Sequence, residues 1–363
     1  MHAIITVAIA SSRLRRTLSL LIRRKYDSPS YTLQTFIPTT TKDAYLAIRA
    51  LNIELARIPD VVSNHTIGAL RYQFWRDNLT RSFTHTPPGE PVSILLHHAL
   101  TQLKDRHPNI PVSSLKSWLM KIIAAREQYS DNRAYPSMEA LESYAEATYS
   151  TLLYLTLGFL PLHSLSVDHL ASHIGKAAGI SAVLRGMPLI AFPPPPNHHS
   201  NSGTMGGSLG GDSGGRHGAV ILPVDIMAQH NCRQEDVLRQ GAAAPGLKDV
   251  IFDVATRAND HLITARVMLG NLREGKEAGH DFEHAGEEGH EYENVASGKG
   301  AEAGTQVNHE IERGFGVLMP AVSTRLFLER LEKADFDVFD SSVRGRSLKL
   351  PWSAYWAFKQ KQI

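Results

Sequence analysis

Apolar residues recur at steps of three and four along most of the chain, which is the pattern of amphipathic α-helices that bury one face. The stretch 42–58 is predicted to turn these residues inward: Ala44, Ile48, Leu51, Leu55 and Ile58. The stretch 63–83 is predicted to do the same with Ile67, Leu70, Phe74 and Leu79. Further helices are predicted at 91–106, 114–127, 137–160, 166–185, 233–239, 247–272, 324–334 and 351–361. Because alternating strand patterns with hairpin turns are nearly absent, the predicted fold class is all-α.

Two segments interrupt the helical pattern and are predicted to be disordered insertions into one helical domain that spans residues 26–363. The first, 193–218, has four successive prolines followed by a tract of glycine and serine. The second, 270–316, is rich in glycine, glutamate and histidine and has few apolar positions. Such compositions bury too little apolar surface to offset the conformational entropy that is lost on ordering.

Charge is unevenly distributed along the chain. The first 25 residues contain six arginine and lysine residues and no acidic residue, so the net charge of +2 becomes −4 without them. An Arg-rich, acid-free segment of this kind predicts a mitochondrial transit peptide at 1–25. A secretory signal peptide is the alternative, but here the charges follow the apolar run instead of preceding it. Since the remainder of the chain is not basic, nucleic-acid binding has no electrostatic support.

Two short strings match protease motifs but have simpler explanations. The string GDSGG at 211–215 matches the surroundings of a serine-protease nucleophile, yet it lies in a glycine-rich tract of a chain predicted to be helical. The string HDFEH at 280–284 matches a zinc-peptidase pattern, whereas its acidic surroundings favour a hydrated surface loop. Neither string therefore predicts a protease.

An aspartate pair and a lone cysteine are further candidates for chemistry. Asp249 and Asp253 stand one helical turn apart, a spacing that suits Mg²⁺, with Lys248 and Arg257 as candidate ion-pair partners on the same helix. Cys232 is the single cysteine, so an internal disulfide is excluded. We interpret it as an ordinary thiol in a reducing compartment.

Several strings, taken in order and spacing, resemble the squalene/phytoene synthase family, whose fold is an all-α isoprenoid-synthase bundle. They are Phe36-Ile37-Pro38, AIRAL at 47–51, QFWR at 73–76, Tyr144 with Thr148, HIGKAAGI at 173–180, Leu184-Arg185 and LPVD at 222–225. The resemblance extends from about residue 26 to residue 361. It implies a helical bundle around a central cavity. The two disordered insertions, which are predicted from composition, depart from the family pattern.

In active members of that family, two aspartate-rich clusters hold the Mg²⁺ ions that bind a diphosphate. The resemblance places the first cluster at Asn52 and Ala56, with Glu54 between them, and the second after Arg185, at Gly186 and Ile190. Neither pair carries the expected carboxylates. The resemblance therefore implies a pseudoenzyme with no catalytic residue, no metal site and no cofactor.

The chain resembles one catalytically silent branch of the family more closely. The strings that carry this resemblance are at 49–56, 66–68, 73–75, 118–122, 150–157, 171–177 and 335–339. This resemblance implies a non-enzymatic assembly factor for mitochondrial respiratory complex I, on the matrix side of the inner membrane. Its implied partners are complex I subunits or other assembly factors, with peripheral association with the inner membrane and no nucleic acid.

The alternative function is an active Mg-dependent prenyltransferase of the squalene/phytoene synthase type, with Asp249 and Asp253 as substitute ligands. The sequence does not reveal which face binds a partner. Apolar surface near Trp75, Trp118 and Trp352 is a candidate, although tryptophan is more often buried than exposed.

Overall fold

The structure is a computed structural model that describes residues 27–62, 64–84, 86–162, 164–193, 218–276 and 301–363, with side chains from 307 onward in the last range. The predicted transit peptide and the strings at 211–215 and 280–284 lie outside the described residues. So do most of the first predicted insertion and the middle of the second. Those interpretations stay predictions.

The described residues form helices and no strands, which confirms the all-α prediction. The helices are α1 (Ser28–Leu33), α2 (Lys42–Val61), α3 (His65–Ser82), α4 (Pro91–Arg106), α5 (Ser113–Gln128), α6 (Met138–Ala145), α7 (Thr151–Gly158), α8 (Leu165–Ala191), α9 (Val224–Gln229), α10 (Gln234–Gln240), α11 (Leu247–Arg273), α12 (Ala301–Leu318), α13 (Pro320–Lys333), α14 (Ser341–Arg344) and α15 (Leu350–Gln360). A π-helical turn, Glu146–Ser150, joins α6 to α7.

Polar side chains cap the first turn of several helices and fix where they begin. Asn64 Oδ1 accepts the amide of Ile67 at 2.9 Å, so α3 begins directly after Asn64. Glu90 accepts the amides of Val92 and Ser93 at 2.8 and 2.7 Å in front of α4. These bonds satisfy amide groups that have no partner within the helix itself.

The predicted inner face of α3 is wrong in three of its four residues. Leu79 is buried, but Ile67, Leu70 and Phe74 are exposed. The helix instead buries a second stripe with helical spacing, which includes Tyr72 and Trp75. Two apolar stripes overlap on this helix, and the stripe that contains Tyr72 and Trp75 removes more apolar area from water when it is buried.

The predicted insertion at 270–316 is too wide at both ends. Helix α11 continues to Arg273, and α12 occupies Ala301–Leu318. Ile311, Phe315 and Leu318 are buried along one side of α12. The prediction failed because it averaged the apolar content of this helix with that of the acidic tract before it.

The long helix α8 forms the centre of the bundle and packs against α11, α13 and the π-helical turn. A Cβ atom on Gly175 would lie 2.3 Å from the Cα atom of Ser150, and one on Gly179 would lie 2.5 Å from the Cβ atom of Ala145. Both glycines therefore allow close backbone approach. Among the described residues, α8 alone is long and apolar enough to span a membrane. However, 61% of its most apolar 18-residue stretch is buried inside the bundle. That burial accounts for its composition.

Candidate functional site

A cavity of about 240 Å³ opens between α2, α8 and α13, with α1 and α5 at its sides. Its polar lining residues are Asp27, Ser30, Arg49, Asn52, Arg57, Asp60, Arg126, Tyr149, Ser181, Arg185, Ser323 and Thr324. A second cavity of about 140 Å³ adjoins it, and Ala56, Arg126 and Tyr149 line both. The central cavity that the family resemblance implies is therefore present.

Positive charge dominates the wall of the first cavity. Four arginines line it, against two carboxylates, Asp27 and Asp60. Asp27 Oδ1 accepts the amide of Ser30 at 3.1 Å as the cap of α1, and Asp60 lies exposed at the end of α2. Mg²⁺ requires several oxygen ligands, preferably carboxylates. Within the described ranges, no group of three or more His, Cys, Asp or Glu side chains is placed to hold a metal ion.

Arg126 lies at the junction of the two cavities, with the side chain partly buried and its Nε atom fully buried. Its Nη2 donates to Asn52 Oδ1 at 2.8 Å, and its Nη1 donates to the Tyr144 hydroxyl at 2.5 Å. The guanidinium carbon also lies 5.5 and 5.6 Å from the ring centroids of Tyr144 and Tyr149. Burial by itself would lower the pKa of Arg126, but Tyr144 and Tyr149 outweigh it and the pKa is raised. A fixed positive charge therefore stands beside Asn52.

The six positions that the resemblance assigned to the metal-binding clusters divide into two groups. The cavity walls contain Asn52, Ala56, Arg185, Gly186 and Ile190. Glu54 is not among the lining residues, and its carboxylate lies 3.9 Å from the Arg57 guanidinium in a half-exposed pair. Arg185 lies over the ring of Phe327, 5.8 Å from its centroid. Glu54 therefore does not supply a carboxylate to the cavity in place of Asn52 or Ala56.

Hydrogen-bond donors on the cavity wall remain unused. Arg49 Nε, Arg126 Nε and Ser181 Oγ are buried and find no hydrogen-bond partner among the residues that the structure describes. Buried donors without partners are costly, so an acceptor within the cavity would be favourable. The donors on this wall therefore suit an oxygen acceptor.

Comparison with known proteins identifies the family. The squalene/phytoene synthase family model matches residues 23–189 and 208–279. The chain belongs to the squalene/phytoene synthase family. Among solved structures, this family member resembles a dehydrosqualene synthase with a TM-score of 0.63 and 12% sequence identity, over 97% of each chain. It also resembles YisP from Bacillus subtilis, with a TM-score of 0.55 and 12% identity over 95% of this chain and 96% of that one. These two likenesses concern the fold.

This squalene/phytoene synthase family member has higher sequence identity to several named proteins than to those two solved structures. It is 33% identical to a Bos taurus protein named NADH dehydrogenase (ubiquinone) complex I, assembly factor 6, over 95% of this chain and 82% of that one. The Homo sapiens protein of the same name is 33% identical over 93% of this chain and 79% of its own. A Drosophila melanogaster homolog of that name is 29% identical over 92% and 80%.

The aspartate pair singled out from the sequence does not line either cavity. Asp249 is exposed, and Asp253 Oδ2 lies 2.6 Å from His230 Nε2. The predicted ion-pair partners also differ, because Lys248 pairs with Asp335 and Arg257 pairs with Glu142. The pair therefore does not add carboxylates to either cavity.

Cys232 is buried, in keeping with its interpretation as an ordinary thiol. Burial raises the pKa of this thiol, and Asp236 raises it further. A raised pKa keeps the sulfur protonated, whereas a reactive cysteine needs the thiolate. Cys232 is therefore a packing residue.

A polar cluster that was not predicted from the sequence joins α6, α8 and α11. Glu142 Oε1 lies 3.0 Å from His261 Nε2 and also binds the Arg257 guanidinium. His261 Nδ1 lies 2.9 Å from His173 Nδ1. Desolvation would raise the pKa of Glu142, but hydrogen bonds from His261 and Arg257 lower it to about 2. No spacing in the sequence indicates this cluster, since Glu142 and His261 are 119 residues apart.

Proposed function

We propose that this chain is a non-enzymatic assembly factor for mitochondrial respiratory complex I. It would act on the matrix side of the inner membrane, with complex I subunits or other assembly factors as partners. The observation that carries the proposal is the 33% identity, over 95% of the chain, to a protein named as a complex I assembly factor. The structure adds support from the chemistry of the cavity.

The cavity favours a role without catalysis. In the proposed account, Asn52 and Ala56 occupy the positions of the first metal-binding cluster, and Arg126 donates to Asn52 from the interior. A divalent cation about 5 Å from a guanidinium would be repelled by about 7 kcal/mol at an effective dielectric constant of about 20. The two carboxylates on this wall would have to offset that repulsion as well as the dehydration of the ion. We therefore infer that the reaction of the active family members has been lost.

Deletion of the gene tests the proposed function. We expect the deletion strain to contain less assembled complex I on native gels and to have lower NADH:ubiquinone oxidoreductase activity, and a plasmid copy of the gene should restore both. The amounts of another respiratory complex serve as the control. Normal complex I in the deletion strain would contradict the proposal.

The active-enzyme alternative has its own test. Purified protein, incubated with Mg²⁺ and a C15 or C20 prenyl diphosphate, is expected to release no pyrophosphate above the background without protein. Release that depends on both Mg²⁺ and folded protein would show that the chain is a prenyltransferase.

We further propose that residues 1–25 direct the chain to mitochondria, because this segment is arginine-rich and free of acidic residues. Fusion of residues 1–25 to a fluorescent protein should send the fusion to mitochondria. A fusion in which the arginines are replaced by glutamine should stay outside. Equal targeting of both fusions would contradict this proposal.

A further inference from the structure

The last helix, α15, is firmly attached to the bundle through one of its faces. Leu350, Ala354 and Ala357 are buried. The ring of Phe358 packs on Phe36 with a centroid distance of 5.0 Å, and on Phe315 at 6.1 Å. The orientation of the helix is thereby fixed, so its outer face is presented in a defined way.

The outer face of α15 exposes large apolar side chains that the fold does not use. Leu348 just before the helix is 89% exposed, Trp352 is 73% exposed, and Tyr355 and Trp356 are each 50% exposed. Trp75, by contrast, is only 6% exposed. We call Leu348, Trp352, Tyr355 and Trp356 the C-terminal aromatic face. Clustered exposure of this kind marks an interaction surface.

Basic residues surround the C-terminal aromatic face. Residues 341–363 contain five arginine and lysine residues and no aspartate or glutamate, namely Arg344, Arg346, Lys349, Lys359 and Lys361. Lys361 turns toward the bundle, where its Nζ lies 3.3 Å from Glu312 Oε2. Arg344, Lys349 and Lys359 are exposed, and Lys359 Nζ lies 5.1 Å from the centroid of the Trp356 ring. The charge of this surface is complementary to an anionic partner.

The composition of the face favours a lipid surface over an acidic protein. Tryptophan and tyrosine have an apolar ring with a polar edge and concentrate at the level of lipid headgroups. Lysine is depleted at protein–protein interfaces but attracts anionic lipid when it lies beside buried apolar residues. Here lysines flank the aromatic rings on both sides along the chain, at Lys349 and Lys359.

We propose that the C-terminal aromatic face docks the protein on an anionic phospholipid bilayer. The rings of Trp352, Tyr355 and Trp356 lie among the headgroups, and Lys349 and Lys359 face the phosphates. This inference rests on the proposed function, since it describes how an assembly factor for a membrane complex reaches the membrane. Its test, however, needs no complex I.

Flotation of the full-length protein with vesicles tests the docking. We expect binding to phosphatidylcholine vesicles that contain about a third cardiolipin, and at least tenfold less binding to pure phosphatidylcholine vesicles or in high salt. The double variant Trp352→Ser/Trp356→Ser should lose at least tenfold in bound fraction. The charge variant Lys349→Glu/Lys359→Glu should lose binding to a similar extent.

A matched control removes exposed apolar side chains elsewhere. Leu70 and Phe74 on α3 are 66% and 50% exposed, so Leu70→Ser/Phe74→Ser removes a comparable surface. This variant should bind vesicles within twofold of the unaltered protein. The tryptophan emission of the unaltered protein should shift to shorter wavelength on vesicle binding, and that of Trp352→Ser/Trp356→Ser should not.

Three results would overturn the docking proposal. They are no binding of the unaltered protein to anionic vesicles, undiminished binding of the double tryptophan variant, and capture of an acidic protein by this face while vesicles stay unbound. The outcome is separable from that of the proposed function. Vesicle binding together with normal complex I in the deletion strain would support the docking proposal and contradict the proposed assembly function. No vesicle binding together with reduced complex I in the deletion strain would support the assembly function and contradict the docking proposal.

Discussion

The cavity junction and the C-terminal aromatic face both combine cations with aromatic rings, but they do so in opposite surroundings. Arg126 lies largely in the interior, between Tyr144 and Tyr149, and donates to Asn52, whereas Lys359 lies over Trp356 at the surface. A buried cation must be paired and hydrogen-bonded, because water cannot solvate it. An exposed cation is solvated whether or not it has a partner. Interior substitutions should therefore change folding stability, and substitutions at the aromatic face should change binding alone.

The largest effect is expected at the cavity junction. Arg126→Ala should lower the free energy of unfolding by about 3–4 kcal/mol, since it removes the hydrogen bonds to Asn52 and to the Tyr144 hydroxyl and opens a void. Urea unfolding measures the difference. Arg71 is exposed on α3, so Arg71→Ala is the control and should stay within about 0.5 kcal/mol. A decrease of less than about 1 kcal/mol in the free energy of unfolding for Arg126→Ala would show that the hydrogen bonds of Arg126 contribute little to folding stability.

The packing of α8 should give the next largest effect. Gly175→Ala places a Cβ atom 2.3 Å from the Cα atom of Ser150, so α8 must move away from the π-helical turn. We expect a loss of about 2–3 kcal/mol in urea unfolding. Gly186 lies on the same helix beside the second cavity, and a Cβ atom there meets nothing within 4 Å. Gly186→Ala should therefore raise stability by up to about 1 kcal/mol. Equal effects of the two substitutions would contradict the observed packing.

A smaller, pH-dependent effect is expected at Glu142. Its pKa is lowered from 4.5 to about 2, so its ion pairs stabilise the fold fully above pH 4.5 and lose that contribution as the pH falls toward 2. Glu142→Gln should cost about 2 kcal/mol at neutral pH. The difference between the unaltered protein and this variant should narrow in urea unfolding measured at progressively lower pH between 4.5 and 2. A difference that stays constant over this range would mean that Glu142 contributes packing and no charge.

The smallest effect on folding is expected at the C-terminal aromatic face. Trp352→Ser/Trp356→Ser should change the free energy of unfolding by no more than about 0.5 kcal/mol, because both rings are largely in water. Its loss of vesicle binding would then come from the surface itself. A loss of more than about 2 kcal/mol would show instead that the two rings support the fold.

Local patterns predicted the helices well, and contacts between distant residues could not be predicted. The start of α2 follows from apolar spacing, and the start of α4 also follows from its capping residue Glu90, which is close in sequence. The inner face of α3 was mispredicted because two stripes fit the same helical period. The pairing of Arg126 with Asn52 has no signal in the sequence, since the two residues are 74 positions apart and meet only when α5 packs beside α2.

The candidate site likewise combines features that could be predicted from the sequence with features that depend on contacts between distant residues. The family resemblance predicted the cavity and the helix that carries Asn52 and Ala56. It did not predict the arginine-rich wall, because the wall combines residues from α2, α5 and α8. Trp352 was one of three tryptophans named as candidate surface residues, and the sequence could not single it out, since side-chain exposure depends on which face of α15 meets the bundle.

The most direct test of the account removes both carboxylates from the wall of the first cavity. Asp27→Asn/Asp60→Asn leaves that wall, among the described residues, with no acidic side chain that could bind Mg²⁺. If the chain assists complex I assembly without catalysis, this variant, expressed in the deletion strain at normal level, should restore assembled complex I on native gels as fully as the unaltered gene. A stable variant that fails to restore complex I would contradict the account.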